Sequence, residues 1–233
     1  FWELCEKLAQ IGITPLALHT EGTAWAPMLI ATAQAAEDPA GYDFLQISLP
    51  DTYQNASGRQ IAETIKQLFA YTTEDAIHSD FDAAYLNFFA GNTAMLPNGH
   101  WMLEDIEPYM EDTIRFSAFP GNVLISSPET FGWAVADSYS DEVKEGAVAF
   151  LKFRTLQTQQ NKNEFLNQQR NEPQRAVRDY MTAFLGDPVI VPNYQVKWNS
   201  ILQEKTLGAT LPLLISGEMT TADFLKEADR SIA

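Results

Sequence analysis

A tryptophan beside a tight turn is the feature of this sequence best suited to binding a ligand. A short apolar strand at 94–96 leads into Pro97-Asn98-Gly99, a run typical of a turn, and Trp101 follows shortly after it. An indole ring offers a flat apolar face, and the turn offers backbone amides and the Asn98 side chain as hydrogen-bond partners. A sugar ring needs both kinds of contact, because its faces are apolar and its rim carries hydroxyl groups. Trp101, Asn98 and Gly99 are therefore candidate ligand-binding residues, although Trp101 could instead fill the core beneath the turn.

A second candidate surface follows the first predicted strand. The apolar run at 13–18 predicts a short buried strand, and the polar loop after it contains His19 and Glu21 before Trp25 enters the next helix. Loops at the carboxyl ends of strands commonly hold ligands in α/β folds. Trp25 is a candidate for the second wall of a cleft, with packing on its own helix as the equal alternative. Glu21 and His19 are candidates for contacts with hydroxyl groups, unless they are simply solvated.

Paired carboxylates are the groups that could support catalysis in this sequence. The obvious pairs are Asp80 with Asp82, Glu104 with Asp105, and Glu111 with Asp112. Glycoside hydrolysis requires two carboxyl groups about 5–10 Å apart across a cleft, one of them with a raised pKa. Neighbouring acidic residues point in different directions, so these pairs are interpreted as solvated surface. We predict no catalytic residue and no enzymatic activity in this chain.

Metal and cofactor sites are not predicted either. The single cluster of histidine and carboxylates is His78 with Asp80 and Asp82, and no HExxH motif or cysteine pair accompanies it. A calcium site through the two aspartates would lack the later glycine and glutamate of an EF-hand loop. The sequence contains no P-loop, dinucleotide-binding or nucleophile-elbow motif, so nucleotide binding and serine-hydrolase chemistry have no support.

The composition excludes several further classes of protein. The 233 residues include 15 Lys and Arg against 31 Asp and Glu, and the formal charge is −16. Nucleic acid and anionic lipid surfaces would be repelled, so neither is expected as a partner. Cys5 is the only cysteine, which excludes an internal disulfide, and its helical neighbours predict a buried structural thiol. No run approaches the roughly 18 apolar residues of a membrane span. The chain begins with Phe1, without an initiator Met and inside an amphipathic segment, so we expect a piece of a longer protein.

Periodicity along the chain predicts an α/β fold. Helices are predicted at 2–11, about 26–36, 57–71, 82–90, 141–156, 158–169, around 177–185, within 194–215 and after 220. Short strands are predicted at 13–18, 94–96, around 115–118 and 131–136. Three glycines are predicted to end helices: Gly12, Gly91 and Gly217. Four apolar residues are predicted to form the buried face of the 141–156 helix: Val143, Ala147, Phe150 and Leu151.

Five segments, in order along the chain, resemble those of one known family. They are GITPLAL with Trp25, FFAGNTAM, NGHW, FGWAVA followed by the helix at 141–153, and SGEMTTADFL. Together they resemble the extracellular solute-binding protein family 1, the sugar-binding receptors of ABC importers that include maltose-binding protein. The resemblance extends over nearly the whole chain, and five motifs in order are more specific than any one of them alone.

The resemblance implies a type II periplasmic-binding-protein fold, in which two α/β lobes close over a ligand. Residues 1–118 would form part of the second lobe, 119–176 would cross back to the first lobe, and 177–233 would supply the C-terminal helices of the second lobe. The main body of the first lobe would lie upstream of this sequence. Half a cleft should bind a ligand weakly or not at all, because closure needs both faces.

The resemblance also implies roles for individual residues. Trp101 is similar to the family's stacking tryptophan, and Gly132 with Trp133 to a strand that lines the cleft. Trp198 aligns loosely with an aromatic residue that contacts sugar in some relatives, although its helical setting favours core packing.

The function implied is capture of a sugar or oligosaccharide and its delivery to the transmembrane subunits of an ABC permease. No cofactor is expected, and the protein is expected to be a monomer. The implied location is extracellular, as a membrane-anchored lipoprotein, or periplasmic. Two alternatives stay open: a glycan-processing enzyme whose catalytic residues lie upstream, and a receptor for amines, iron or phosphate-bearing compounds on the same scaffold.

Overall fold

The computed structural model of this chain describes residues 1–47, 50–99, 102, 114, 117–125, 135–160, 189–192 and 206–232. Its helices are α1 (Trp2–Gln10), α2 (Trp25–Ala36), α3 (Pro39–Gln46), α4 (Ala56–Phe69), α5 (Phe81–Phe89), α6 (Asp141–Gln160), α7 (Gly208–Ser216) and α8 (Thr221–Asp229). Its strands are β1 (Thr14–Leu16), β2 (Thr93–Met95), β3 (Val123–Ile125) and β4 (Val189–Val191), and short 3₁₀ helices cover Glu74–His78 and Pro120–Asn122. This mixture of helices and parallel strands is consistent with the predicted α/β class.

The predicted helix ends are confirmed at three glycines. Gly12, Gly91 and Gly217 have φ angles of 80°, 76° and 82°, the left-handed conformation in which a side chain would be strained. At the start of α8, Thr220 is the capping residue. Its hydroxyl oxygen accepts the backbone N–H of Asp223 at 3.1 Å, and the hydroxyl donates to the Asp223 carboxylate at 2.7 Å.

The strands pair in parallel. In the first sheet Thr14 is opposite Thr93 and Leu16 is opposite Met95, so the carboxyl ends of β1 and β2 lie at one edge. The backbone N–H of Leu16 also bonds the carbonyl of Tyr71 at 2.9 Å, so β1 has hydrogen-bonded neighbours on both sides. In the second sheet β3 pairs with β4 over three residues, from Val123 opposite Val189. These pairings place the loops after β1 and β2 beside each other.

The core is built around α2. Every residue of this helix except Trp25 and Gln34 is buried, as expected for a helix that is apolar on all sides. It packs against α3, α4 and the second sheet. The core also contains Cys5, Leu16, Leu18, Ile61, Ile65, Leu68, Leu211, Leu214, Phe224 and Ala228. The predicted burial of Cys5 is therefore confirmed.

A hydrogen-bonded carboxylate fixes α8 to the loop before α4. Asp229 accepts from the Thr52 hydroxyl at 2.6 Å, the Tyr53 backbone N–H at 2.5 Å and the Gln54 amide at 2.7 Å. Partial burial acts to raise the pKa of Asp229, but these three hydrogen bonds outweigh it and lower the pKa overall. Burial, together with the nearby Asp229 charge, raises the pKa of Tyr53 to about 12.

Two predicted strands in the later part of the chain stay predictions. Of 115–118 and 131–136 the structure describes only 117–118 and 135–136, which lie outside its strands, and the described strand β3 comes at 123–125, after a turn in which Gly121 has φ 73°. The predicted buried face of α6 is wrong, because Val143 and Phe150 are 51% and 58% exposed. The apolar residues of α6 are spread around the helix, so they form no single stripe for a packing partner. The predicted helix around 177–185, most of the one at 158–169 and the first part of the range 194–215 lie outside the described residues. A helix within the last range is confirmed by α7.

The chain divides into two compact units. One contains Phe1–Met102, Ser117–Ser127 and Phe184–Ala233, and the other contains Leu103–Phe116 and Pro128–Ala183. All described elements except α6 belong to the first unit. The assignment of 1–118, 119–176 and 177–233 to parts of two lobes stays a prediction. None of the helices in the described part of the chain is both long and apolar enough to cross a bilayer.

Candidate functional site

An open pocket of about 430 Å³ lies in the first unit, where the chain leaves β1. The residues that line it come from the loop after β1, the start of α2 and the start of α5: His19, Glu21, Gly22, Thr23, Trp25, Asp80, Phe81 and Asp82. Because β1 and β2 are parallel, this is also the sheet edge at which the loop after β2 begins. The pocket therefore occupies the position at which α/β folds commonly bind ligands.

Backbone and side-chain hydrogen bonds fix the loop after β1. The backbone N–H groups of Thr20 and Glu21 both donate to the carbonyl of Ser79, at 3.2 and 3.0 Å. The buried hydroxyl of Thr20 donates to the carbonyl of Ile77. Ala24 then takes a left-handed conformation with φ 48°, which turns the chain into α2. The loop is thus held against the segment that leads into α5, and both sides of the pocket are positioned together.

Three aromatic rings form one wall of the pocket. The ring centroids of Trp25 and Phe81 are 5.0 Å apart, and each lies 5.8 Å from the His19 ring. The Phe81 ring continues to Tyr85 at 6.1 Å, along the same face of α5. Such rings support one another by edge and tilted contacts and leave a rigid apolar surface for a ligand.

His19 supplies a buried hydrogen-bond acceptor to this wall. It is only 1% exposed, and its Nδ1 lies 3.2 Å from the carbonyl oxygen of Glu21. A carbonyl can only accept, so Nδ1 carries the proton and the neutral ring keeps a lone pair on Nε2. Among the described residues Nε2 has no hydrogen-bond partner. Burial lowers the pKa of His19, against opposing effects from the Glu21 carbonyl and the Asp80 charge.

The rim of the pocket carries three carboxylates. Glu21, Asp80 and Asp82 are all exposed, and one oxygen of Asp80 caps α5 by accepting the N–H of Ala83 at 3.0 Å. In the part of the chain that the structure describes, no three His, Cys, Asp or Glu side chains are grouped to hold a metal ion. The rim is therefore suited to accepting hydrogen bonds from a ligand that is rich in donors.

The predicted turn after β2 lies at the same sheet edge but does not line the pocket. Asn98 is half-buried, and its side-chain oxygen accepts the backbone N–H of Gly99 at 2.8 Å. Its amide nitrogen is buried and lacks a partner among the described residues. The carbonyl of Gly99 accepts the N–H of Met102 at 3.1 Å, which tightens the turn. The amide of Asn98 thus has donor capacity that the described fold does not use.

The predicted site residues that the structure describes fall into two groups. Trp25 and Glu21 line the pocket, and Asn98 and Gly99 lie after the neighbouring strand. Trp101, Gly132, Trp133 and Trp198 lie outside the described residues, so their roles stay predictions.

Sequence reasoning missed Phe81 and treated Asp80 and Asp82 as solvated surface. A usable signal was present, because Asp80 is an N-cap residue directly before an apolar helix. What the sequence did not reveal is that α5 begins opposite the loop after β1.

Comparison with known proteins gives one structural likeness. No protein-family model matches this chain, and no curated protein matches it. A solved structure named "Chitin oligosaccharide binding protein" superposes with a TM-score of 0.71 at 18% sequence identity. The match covers 100% of this chain and 62% of that one, so this chain spans less than two thirds of the neighbour's length. This chain is therefore similar in fold to a larger protein that is named as a binding protein.

Proposed function

We propose that this chain is the substrate-binding component of an ABC importer, which captures a sugar or oligosaccharide and delivers it to a membrane permease. The observation that carries the proposal is the pocket after β1, where the Trp25 and Phe81 rings stand beside acceptor groups. The fold shared with a protein named for oligosaccharide binding supports it. The five ordered motifs, which resemble sugar-binding receptors, point in the same direction.

In the proposed mechanism a sugar ring stacks on the aromatic wall while its hydroxyl groups donate to the rim. The apolar face of the ring meets Trp25, and Glu21 and Asp82 accept from the hydroxyls. Trp101 and the Asn98 amide would extend the site along the neighbouring strand end. In this proposal the protein catalyses no reaction, and its function is to bind the ligand.

Transport requires more than the residues of this chain. A type II fold closes two lobes over the ligand, and this chain covers 62% of its structural neighbour. We propose that the first lobe is supplied by a longer protein, and that closure creates the surface recognised by the permease. The proposed location is outside the cytoplasmic membrane, as a lipid-anchored or periplasmic receptor.

Isothermal titration calorimetry of the full-length protein tests this function. We expect binding to at least one member of a panel of chitin, cellulose and starch oligosaccharides. Trp25→Ala should weaken that binding about tenfold or more, since one aromatic contact contributes about 0.5–1.5 kcal/mol beyond its buried area and the lost apolar burial adds to this. Trp25→Phe keeps a stacking plate and should retain most of the affinity.

The matched control is Tyr42→Ala, which removes an aromatic residue that is 38% exposed on α3 and does not line the pocket. Its affinity should equal that of the wild type. Binding of a peptide or a metal ion in the same experiment, with no binding of any sugar, would reject the proposal.

A further inference from the structure

We infer that the pocket after β1 binds a protonated amino group, so that the captured oligosaccharide carries free amines, as in a glucosamine oligomer. The inference rests on the proposed function and specifies the sugar that the same site takes. It is drawn from the charge, the hydrogen-bonding capacity and the aromatic wall of the described pocket.

The charged side chains that line the pocket are all acidic. They are Glu21, Asp80 and Asp82, and the residues described there include no Lys or Arg. The ion pairs described in the structure involve none of these three carboxylates. The whole chain has a formal charge of −16, so the field around the pocket attracts cations at long range.

His19 is an independent indication of a donor-rich ligand. Its side chain is almost completely buried in the pocket wall, and its Nε2 is an acceptor without a partner among the described residues. Buried acceptors are normally satisfied, and one that is not marks a place for a donor. An ammonium group has only hydrogen-bond donors, and both the carboxylates of the rim and the His19 Nε2 lone pair can accept from such donors. The carboxylates and the imidazole therefore both favour a ligand that supplies hydrogen-bond donors.

A neutral sugar could stack on the aromatic wall but could not balance the negative charge of the rim carboxylates. Closure over a neutral ligand would remove water from Glu21 and Asp82 without supplying a counter-charge, which is unfavourable. A protonated amine supplies that charge and is also attracted to the faces of Trp25 and Phe81. The combination of carboxylates with aromatic faces thus favours a cationic sugar over an N-acetylated or unsubstituted one.

The test compares three trimers with the same β-1,4 linkage in calorimetry of the full-length protein: those of glucosamine, N-acetylglucosamine and glucose. At low salt we expect the glucosamine trimer to bind about tenfold tighter than either neutral trimer, the range of one charge-assisted contact. The preference should shrink as salt is added, because the rim carboxylates are exposed.

Two double variants that remove charge distinguish the effect of the pocket carboxylates from that of the protein's overall negative charge. Glu21→Gln with Asp82→Asn should reduce the affinity for the glucosamine trimer roughly tenfold more than it reduces the affinity for the neutral trimers, because the neutral hydroxyls can still donate to the amide oxygens while the amine loses its counter-charge. The control is Glu6→Gln with Asp43→Asn, two exposed acids of α1 and α3 that do not line the pocket. It makes the same change in net charge and should keep the preference.

The possible results distinguish the two proposals. Equal binding of all three trimers, without salt dependence, overturns the amine assignment and leaves the sugar-binding function in place. No binding of any sugar by folded protein overturns both. A simple diamine that binds as tightly as the glucosamine trimer would show that the sugar ring is not recognised, which also rejects the inference. The comparison of ligands on wild-type protein does not depend on whether a variant folds.

Discussion

The buried hydroxyl of Thr20 gives the sharpest test of how the pocket is held. Thr20 is fully buried, and its hydroxyl donates to the carbonyl of Ile77, which ties the loop after β1 to the segment before α5. Thr20→Val keeps the volume of the side chain and removes only this bond. The Ile77 carbonyl then loses its hydroxyl donor, at a cost of about 1–2 kcal/mol. In a chain of this size that lowers the melting temperature by about 2–4 °C for each kcal/mol.

The same change should weaken ligand binding, because Glu21 and His19 sit on this loop. If the tethered conformation falls to about a third of the population, the apparent affinity falls about threefold. Chemical denaturation measures the stability, and calorimetry with the tightest-binding oligosaccharide measures the affinity. Thr20→Ser is the matched control, since it keeps the hydroxyl and removes only a methyl group, whose burial contributes about 1 kcal/mol to stability. It should lose stability but keep affinity. If Thr20→Val leaves stability and affinity at wild-type values, this hydrogen bond does not position the pocket.

Three further predictions concern the scaffold. Gly41→Ala should destabilise the protein by several kcal/mol, because a Cβ there would lie 2.1 Å from the carbonyl oxygen of Ala35, and backbone must shift. Gly146→Ala, in exposed α6 with nothing within 4 Å of the added carbon, should instead raise stability by up to about 1 kcal/mol, as judged by chemical denaturation. Asp229→Asn should make the free energy of unfolding less sensitive to acid. The pKa of Asp229 is lower in the folded than in the unfolded state, so its carboxylate stabilises the fold above about pH 4. That stabilisation disappears as the pH falls through the folded pKa. Urea titrations at pH 7 and pH 3 measure this, and an equal acid loss in variant and wild type would contradict it.

Local signals made part of the fold predictable from the sequence. Gly12, Gly91 and Gly217 end helices because only glycine takes positive φ without strain. Thr220 caps α8 because a hydroxyl three residues before an acidic residue satisfies a free backbone N–H. The burial of Cys5 follows from its place on the apolar face of α1. Each of these depends on a few neighbouring residues, which is why the sequence alone could reveal them.

Contacts between distant segments were not predictable in this way. Val123 pairs with Val189, and neither local sequence contains a signal for the other. Phe81 contacts Trp25 and His19 only because α5 begins opposite the loop after β1. For that reason the aromatic wall was identified on one side only, from Trp25. The exposed Val143 and Phe150 of α6 show the same limit, because apolar residues within a helix do not reveal whether another segment packs on them.

A crystal structure of the full-length protein with a bound oligosaccharide tests the central claim most directly. We predict a sugar ring with its face against the Trp25 indole at van der Waals distance, about 4 Å, and its polar rim beside Glu21 and Asp82. A ligand that contacts none of the residues lining the pocket after β1, while the Trp25 ring packs wholly against protein, would contradict it.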